Sequence, residues 1–231
     1  RRTMMALGIV MALMLTGAQD GAAQPPAEAA AQAPAAAVRG HSVTHAGEGV
    51  TVHVPTTARY LGAERFTLYG VADAEIHVFA ETDAASGLRR LYWIQFESYL
   101  PSRPELAYNY AEGNRRLDWG GVATWVRAGP VRTDGPMRPG SDRESVYRIL
   151  ARAGVGIPEE AMNVRLVQML DDPQGTGRGR RELMLIYSED LAPTGRRVAD
   201  LTSEGRPNES GAPMEAPRVA RATTAFRVER R

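Results

Sequence analysis

Alternation of apolar and polar positions with a period of two dominates the middle of this chain. In LRRLYWIQFESYL (88–100), Tyr92, Ile94, Phe96 and Leu100 fall on one face of an extended segment, and Leu91, Trp93, Gln95, Glu97 and Tyr99 on the other. The same period marks VTVHVP (50–55), which ends at a proline as an edge strand does. RFTLYGV (65–71) and AEIHVFAE (74–81) alternate on either side of Ala72-Asp73, and read as a tight hairpin or as one bulged strand. LDWGGVATWVRA (117–128) reads as another strand, with Gly120-Gly121 marking a bulge or a close approach. NVRLVQML (163–170) and RRELMLIYSE (180–189) read as two strands around the loop DDPQGTGRGR.

One stretch changes period. Ser141 and Glu144 form an S-x-x-E capping signal ahead of Val146, Tyr147, Ile149 and Leu150, and Gly154 supplies the stop, which predicts a helix over 141–153. Residues 195–217 are rich in Gly, Pro and Ser and read as loop, while 218–230 fits either a terminal helix or a closing strand. Strands, one helix and more strands, without a β-α-β-α run, predict an α+β fold. Its core is a twisted antiparallel sheet of about six or seven strands with the helix packed on a face.

The N-terminus has a different character. Arg1 and Arg2 precede an apolar run from Met4 to Leu15 and a small-residue region ending at Gly21-Ala22-Ala23, the layout of a secretory signal peptide over residues 1–23. The paired arginines also resemble a twin-arginine leader. Residues 24–40 are Ala- and Pro-rich and read as a disordered linker, leaving 41–231 as a single globular domain with a loop-rich C-terminal part. The expected location is therefore periplasmic or secreted. The chain has no cysteine, which excludes disulfides, thiolate-held metals and a thiol nucleophile, and removes the anchor of an envelope lipoprotein; the mature form is expected to carry no membrane anchor. A net charge of +1, from 28 basic and 27 acidic residues, argues against a nucleic-acid partner. Every basic residue is arginine, which fits a compositional bias together with the Ala and Gly content.

The candidate site follows from an assumed register. If 74–81 pairs with 91–99 by matching apolar faces, Ile76, Val78 and Ala80 join Tyr92, Ile94 and Phe96 in the core. The opposite face then collects Glu75, His77 and Phe79 with Trp93, Gln95, Glu97 and Tyr99, and Tyr69 joins from the preceding strand. Two carboxylates and an imidazole among aromatics suit acid–base chemistry, and flat aromatic walls suit a sugar or an aromatic ligand. The plain alternative is a solvated sheet face, where such side chains mix without any ligand. The reading this favours is a non-enzymatic binding module for a small molecule or an envelope protein. Its rivals are a hydrolase-type periplasmic enzyme using Glu75, His77 and Glu97, and an envelope assembly factor.

Two further clusters carry less. His41, His45, Glu48 and His53 lie in a glycine-rich stretch without an H-E-x-x-H pattern, so no metal is assigned to them. Gly175, Gly177 and Gly179 with Arg178, Arg180 and Arg181 resemble a phosphate loop in composition, but a strand rather than a helix follows, so a flexible hairpin tip is expected. No cofactor is expected.

Overall fold

A computed structural model describes residues 32–231. The expected signal peptide and residues 24–31 of the expected linker lie outside the described residues. Seven strands form the main sheet: β4 (Arg59–Leu68), β5 (Ala72–Thr82), β6 (Leu88–Tyr99), β8 (Arg115–Trp119), β9 (Val122–Arg132), β10 (Glu160–Met169) and β12 (Arg181–Asp190). Their order is β4-β5-β6-β12-β10-β9-β8, and every neighbouring pair is antiparallel. A smaller sheet has the order β1 (Ala37–Arg39), β2 (Ser42–His45), β3 (Val50–His53) and β15 (Arg227–Arg230). The chain thus adopts the expected α+β class, and residues 37–39 of the expected linker are already a strand.

The turns explain the hairpins. Tyr69 and Gly70 both have positive φ, 48° and 72°, and connect β4 to β5, so 65–81 is a hairpin and not one bulged strand. Gly120 and Gly121, at φ 61° and 78°, form the two-residue turn between β8 and β9, where the sequence had suggested a bulge. Two successive positive-φ residues match the right-handed twist of the strands they join, and glycine takes that conformation without a Cβ penalty. The true bulge lies in β4, where the register slips between Tyr60 and Gly62.

Helix α1 (Asp142–Arg152) begins at Ser141, whose hydroxyl accepts from the Glu144 amide at 3.2 Å. Gly154, at φ 68°, follows its end, as predicted. The C-terminus resolves its ambiguity by being both things: helix α3 (Glu215–Ala225) and then β15. A four-residue helix, α2 (Val198–Leu201), interrupts the loop-rich part, followed by a short ribbon of β13 (Thr202–Ser203) and β14 (Arg206–Pro207).

Both faces of the main sheet are covered. On one face, Phe79, Tyr92, Ile94, Phe96, Leu183 and Leu185 pack with Val43, Val50 and Val52 of the small sheet and with Val219 and Ala222 of α3. On the other, Ile76, Val78, Ala80, Trp93, Val167 and Met184 pack with Val146, Ile149 and Leu150 of α1. Residues 74–80 and 91–97 are consequently buried throughout, on alternating sides. Among the described residues, no helix is long and apolar enough to cross a membrane.

Candidate functional site

The register of β5 against β6 corrects the expected site. Val78 pairs with Trp93, Ile76 with Gln95 and Ala74 with Glu97, while His77 pairs with Ile94 and Glu75 with Phe96. Paired residues point to the same face. Trp93, Gln95, Glu97 and Tyr99 therefore share the α1 face with Ile76, Val78 and Ala80, whereas Glu75, His77 and Phe79 project to the small-sheet face with Tyr92, Ile94 and Phe96. The expected pairing was one residue out. Matching apolar faces could not fix it, because neither face is wet and both are apolar. Neither half of the expected site is a solvated surface.

On the small-sheet face, Glu75 and His77 are both buried and 2.8 Å apart. The Glu75 carboxylate also accepts from the backbone amides of Ala35 and Ala36, at 2.6 and 2.8 Å. Burial works against its charge, but the bonds from His77, Ala35 and Ala36 outweigh it and hold the carboxyl below its usual range. The other imidazole nitrogen lies 3.2 Å from the Tyr60 hydroxyl. This chain ties the N-terminal segment and edge strand β4 to the sheet. Phe79 is fully buried against Tyr60, with ring centroids 4.9 Å apart. Tyr69 sits at the exposed β4–β5 turn under the Arg138 guanidinium, 3.9 Å from its ring centre, and joins neither face.

One of several concave features among the described residues lies on the α1 face. Helix α1 covers the β4–β5 side of the sheet and leaves a cleft of about 330 Å³ over β6, β12, β10 and β9. Its walls are mainly apolar, with Leu91, Trp93, Val146, Leu150, Met184 and Ile186 prominent. Polar groups line it from four elements: Asp142 and Arg143 from the first turn of α1, Arg132 from β9, Asn163 and Arg165 from β10, and Ser188 from β12. Arg143 donates to the carbonyls of Thr133 and Gly135, and Arg165 donates to Asn114 at 2.9 Å. The Nε atoms of both arginines are shielded from solvent and have no hydrogen-bond partner among the described residues.

Beyond the cleft, a polar chain runs along β6 into the interior. The Trp93 indole donates to the Gln95 amide oxygen at 2.9 Å, and the Gln95 amide nitrogen donates to Glu97 at 2.7 Å. Tyr108 closes this chain by donating to the other Glu97 oxygen, and its ring stacks on Tyr99 at 4.3 Å. Glu97 faces Glu182 on β12, and Tyr110 donates to Glu182 at 3.0 Å. Burial raises both carboxyls, Glu182 to about 8, with the charge of Glu97 adding to its shift. Burial also raises Asp142 at the start of α1, against bonds from the Arg143 amide and Gln95. Glu182, Asp142, Arg165, Tyr108 and Tyr110 were not expected from sequence. Their only local signal was aromatic content in AYNY (107–110), because strand pairing across 85 residues separates Glu97 from Glu182.

The glycine-rich loop is not a free hairpin tip. Arg178–Gly179 (β11) pairs with Tyr108–Asn109 (β7), which lays the loop over the carboxyl pair. Gly177, at φ 78°, lies so close to Trp125 that a Cβ there would stand 2.6 Å from the ring. Arg180 holds the 100–106 segment through the carbonyls of Leu100, Arg103, Pro104 and Leu106, and Arg181 pairs with Glu48 at 3.0 Å. His45 accepts from the Glu48 amide at 3.2 Å, and His53 lies 3.3 Å from Glu229. Among the described residues, no group of three or more His, Cys, Asp or Glu side chains is arranged to hold a metal ion. The chain matches no family model, no curated protein and no solved structure at a significant level.

Proposed function

We propose that this chain is an exported, non-enzymatic binding module that takes a small, largely apolar molecule into the cleft between α1 and the main sheet. The observation that carries this reading is the cleft itself, about 330 Å³ with apolar walls and a few polar side chains. That combination of a concave apolar surface and sparse polar groups is the usual character of small-ligand sites. Trp93 supplies a flat wall, and its indole N–H is already bonded to Gln95, so the part of its ring that lines the cleft asks for apolar contact. The leader-like pattern of residues 1–23 supports export.

The acid–base alternative has less behind it. Glu75 and His77 lie across the sheet from Glu97, and catalytic acids and bases must reach the same reacting atoms. Glu97 and Glu182 are buried and bonded to Tyr108 and Tyr110. The test is ligand-dependent change in tryptophan fluorescence and melting temperature across apolar acids, alcohols, sugars and peptidoglycan fragments. Binding that disappears in Ile186→Trp, which fills the cleft, supports the reading. A flat response to the whole panel, or binding untouched by that substitution, overturns it.

A further inference from the structure

The geometry points to Tyr60 as an acyl-acceptor site, a phenol hydroxyl made nucleophilic by His77 and open to small activated esters. Tyr60 and Phe79 are register partners, and the bulge after Tyr60 sets Ala63 opposite His77. Partners share a face, so Tyr60 lies on the small-sheet face two β5 residues from His77. Its hydroxyl stands 3.2 Å from the imidazole Nδ1, and Nε2 stands 2.8 Å from a Glu75 oxygen. Against burial, the bonds from His77 and from the amides of Ala35 and Ala36 hold the Glu75 carboxyl below its usual range. As a carboxylate it only accepts. Nε2 therefore carries the ring proton, and in the neutral imidazole the lone pair is on Nδ1, beside the Tyr60 O–H. A hydroxyl on an imidazole that a buried carboxylate orients is the arrangement that activates a nucleophile.

The surroundings leave this base to Tyr60. Glu75 and His77 are buried, whereas Tyr60 is 36% exposed on edge strand β4, so of the three side chains only the phenol presents surface to solvent. Arg65, the register partner of Glu75, is paired with Asp73 at 2.6 Å. Burial, and then the charge of Glu75, raise the Tyr60 phenol above its ordinary value. Free phenolate is therefore scarce, and the proton has to leave during attack, which is the work of a general base. In that step the Tyr60 oxygen bonds to the acyl carbon and its proton passes to Nδ1. The bond from the acyl carbon to the ester's alcohol oxygen then breaks, and the imidazolium returns the proton to the departing oxygen. Glu75 offsets the imidazolium charge while it lasts. The site lies across the sheet from the cleft and is independent of it.

The experiment treats the full chain with p-nitrophenyl acetate and maps acetylated residues by peptide mass spectrometry. The chain has no lysine and no cysteine, so the usual competing acyl acceptors are absent. Tyr69 is the internal standard: it is 41% exposed, and its contact is the Arg138 guanidinium, not an imidazole. Exposure alone would make Tyr69 the faster of the two. The expected result is Tyr60 acetylated at least about ten-fold faster than Tyr69. His77→Gln keeps a donor for Glu75 but supplies no base, and should bring Tyr60 to the Tyr69 rate or below it. Glu75→Gln, which removes the charge that orients and supports the imidazole, should slow Tyr60 as well, whereas merely loosened packing would expose the phenol and speed it. A Tyr60 rate no higher than that of Tyr69, or one that holds or rises in either variant, overturns the proposal. Because the Tyr60 to Tyr69 ratio is read within the unaltered chain, it decides the matter even where a variant does not fold.

Discussion

Glu97 on β6 and Glu182 on β12 are register partners on one face of the main sheet, and both are buried. No arginine side chain bonds either carboxylate among the described residues; Tyr108 and Gln95 bond the first and Tyr110 the second. One Glu182 oxygen is without a hydrogen-bond partner among the described residues. Burial is the main reason that Glu182 is pushed up to about 8, and the neighbouring charge of Glu97 adds to it.

This pair makes stability fall with rising pH. The folded state holds the Glu182 proton to about 8, whereas the unfolded chain releases it near the ordinary 4.5. Between those values the folded state binds more protons, so its stability is fullest below the lower value and declines toward the upper one. The slope contributed by one such group is at most about 1.4 kcal/mol per pH unit. Urea unfolding at pH 5 and pH 8 should therefore show a loss on the order of 2–4 kcal/mol. Glu182→Gln, which keeps an acceptor for Tyr110, should flatten most of that decline. An identical decline in both proteins would remove Glu182 as its source.

Glu75 behaves in the opposite sense. Its carboxyl is held low, so its contribution is present above the ordinary 4.5 and is lost as pH falls through the depressed folded value. Glu75→Gln keeps the shape of the side chain and gives up the charge-assisted bonds to Ala35, Ala36 and His77. The expected cost is about 1–3 kcal/mol. Its distinctive sign should be local: residues 32–36 become a preferred site of limited proteolysis at neutral pH. Unchanged cleavage kinetics would mean that Glu75 does not hold this segment.

Gly177 reports on how the loop is seated. Its positive φ of 78° and the Cβ position 2.6 Å from Trp125 leave no room for a side chain. Gly177→Ala should cost at least about 1–3 kcal/mol in backbone strain alone. It should also shift Trp125 emission toward that of a more exposed indole, because the loop must lift. A variant with native stability and spectrum would show that the loop rests elsewhere.

The period-two pattern made strands legible and left their sides illegible. The run 88–100 is β6 almost to the residue, and the pairing of 163–170 with 180–189 is the β10–β12 hairpin. Which residues share a face across β5 and β6 needed a wet side to distinguish them, and the small sheet, α3 and α1 together remove it. Glu75 and His77 thus looked like companions of Glu97 when the backbone of the sheet separates them. The cleft was half visible: Trp93 was singled out, but Arg165, Arg143 and Asp142 enter it from elements distant in sequence. Strand order β6-β12-β10 is a tertiary fact, and no local spacing encodes it.

The start of α1 was the most legible local feature, and its chemistry is asymmetric in a testable way. The Ser141 hydroxyl accepts from the Glu144 amide at 3.2 Å, so Ser141→Ala strands a helix N–H donor beside the cleft. Losing such a cap costs about 0.5–2 kcal/mol. The Glu144 carboxylate reaches back one residue further than a reciprocal capping box would, accepting from Gly140 at 2.8 Å instead of from Ser141. Glu144→Gln retains an oxygen for that bond and gives up only an exposed charge near the helix N-terminus and a 3.4 Å contact with Arg148. Its cost should stay within about 1 kcal/mol. Chemical unfolding of both variants should therefore rank Ser141→Ala as the more damaging, with amide exchange accelerated over 142–145 in that variant. The reverse ranking would show that charge at the helix start, rather than the serine cap, holds this wall of the cleft.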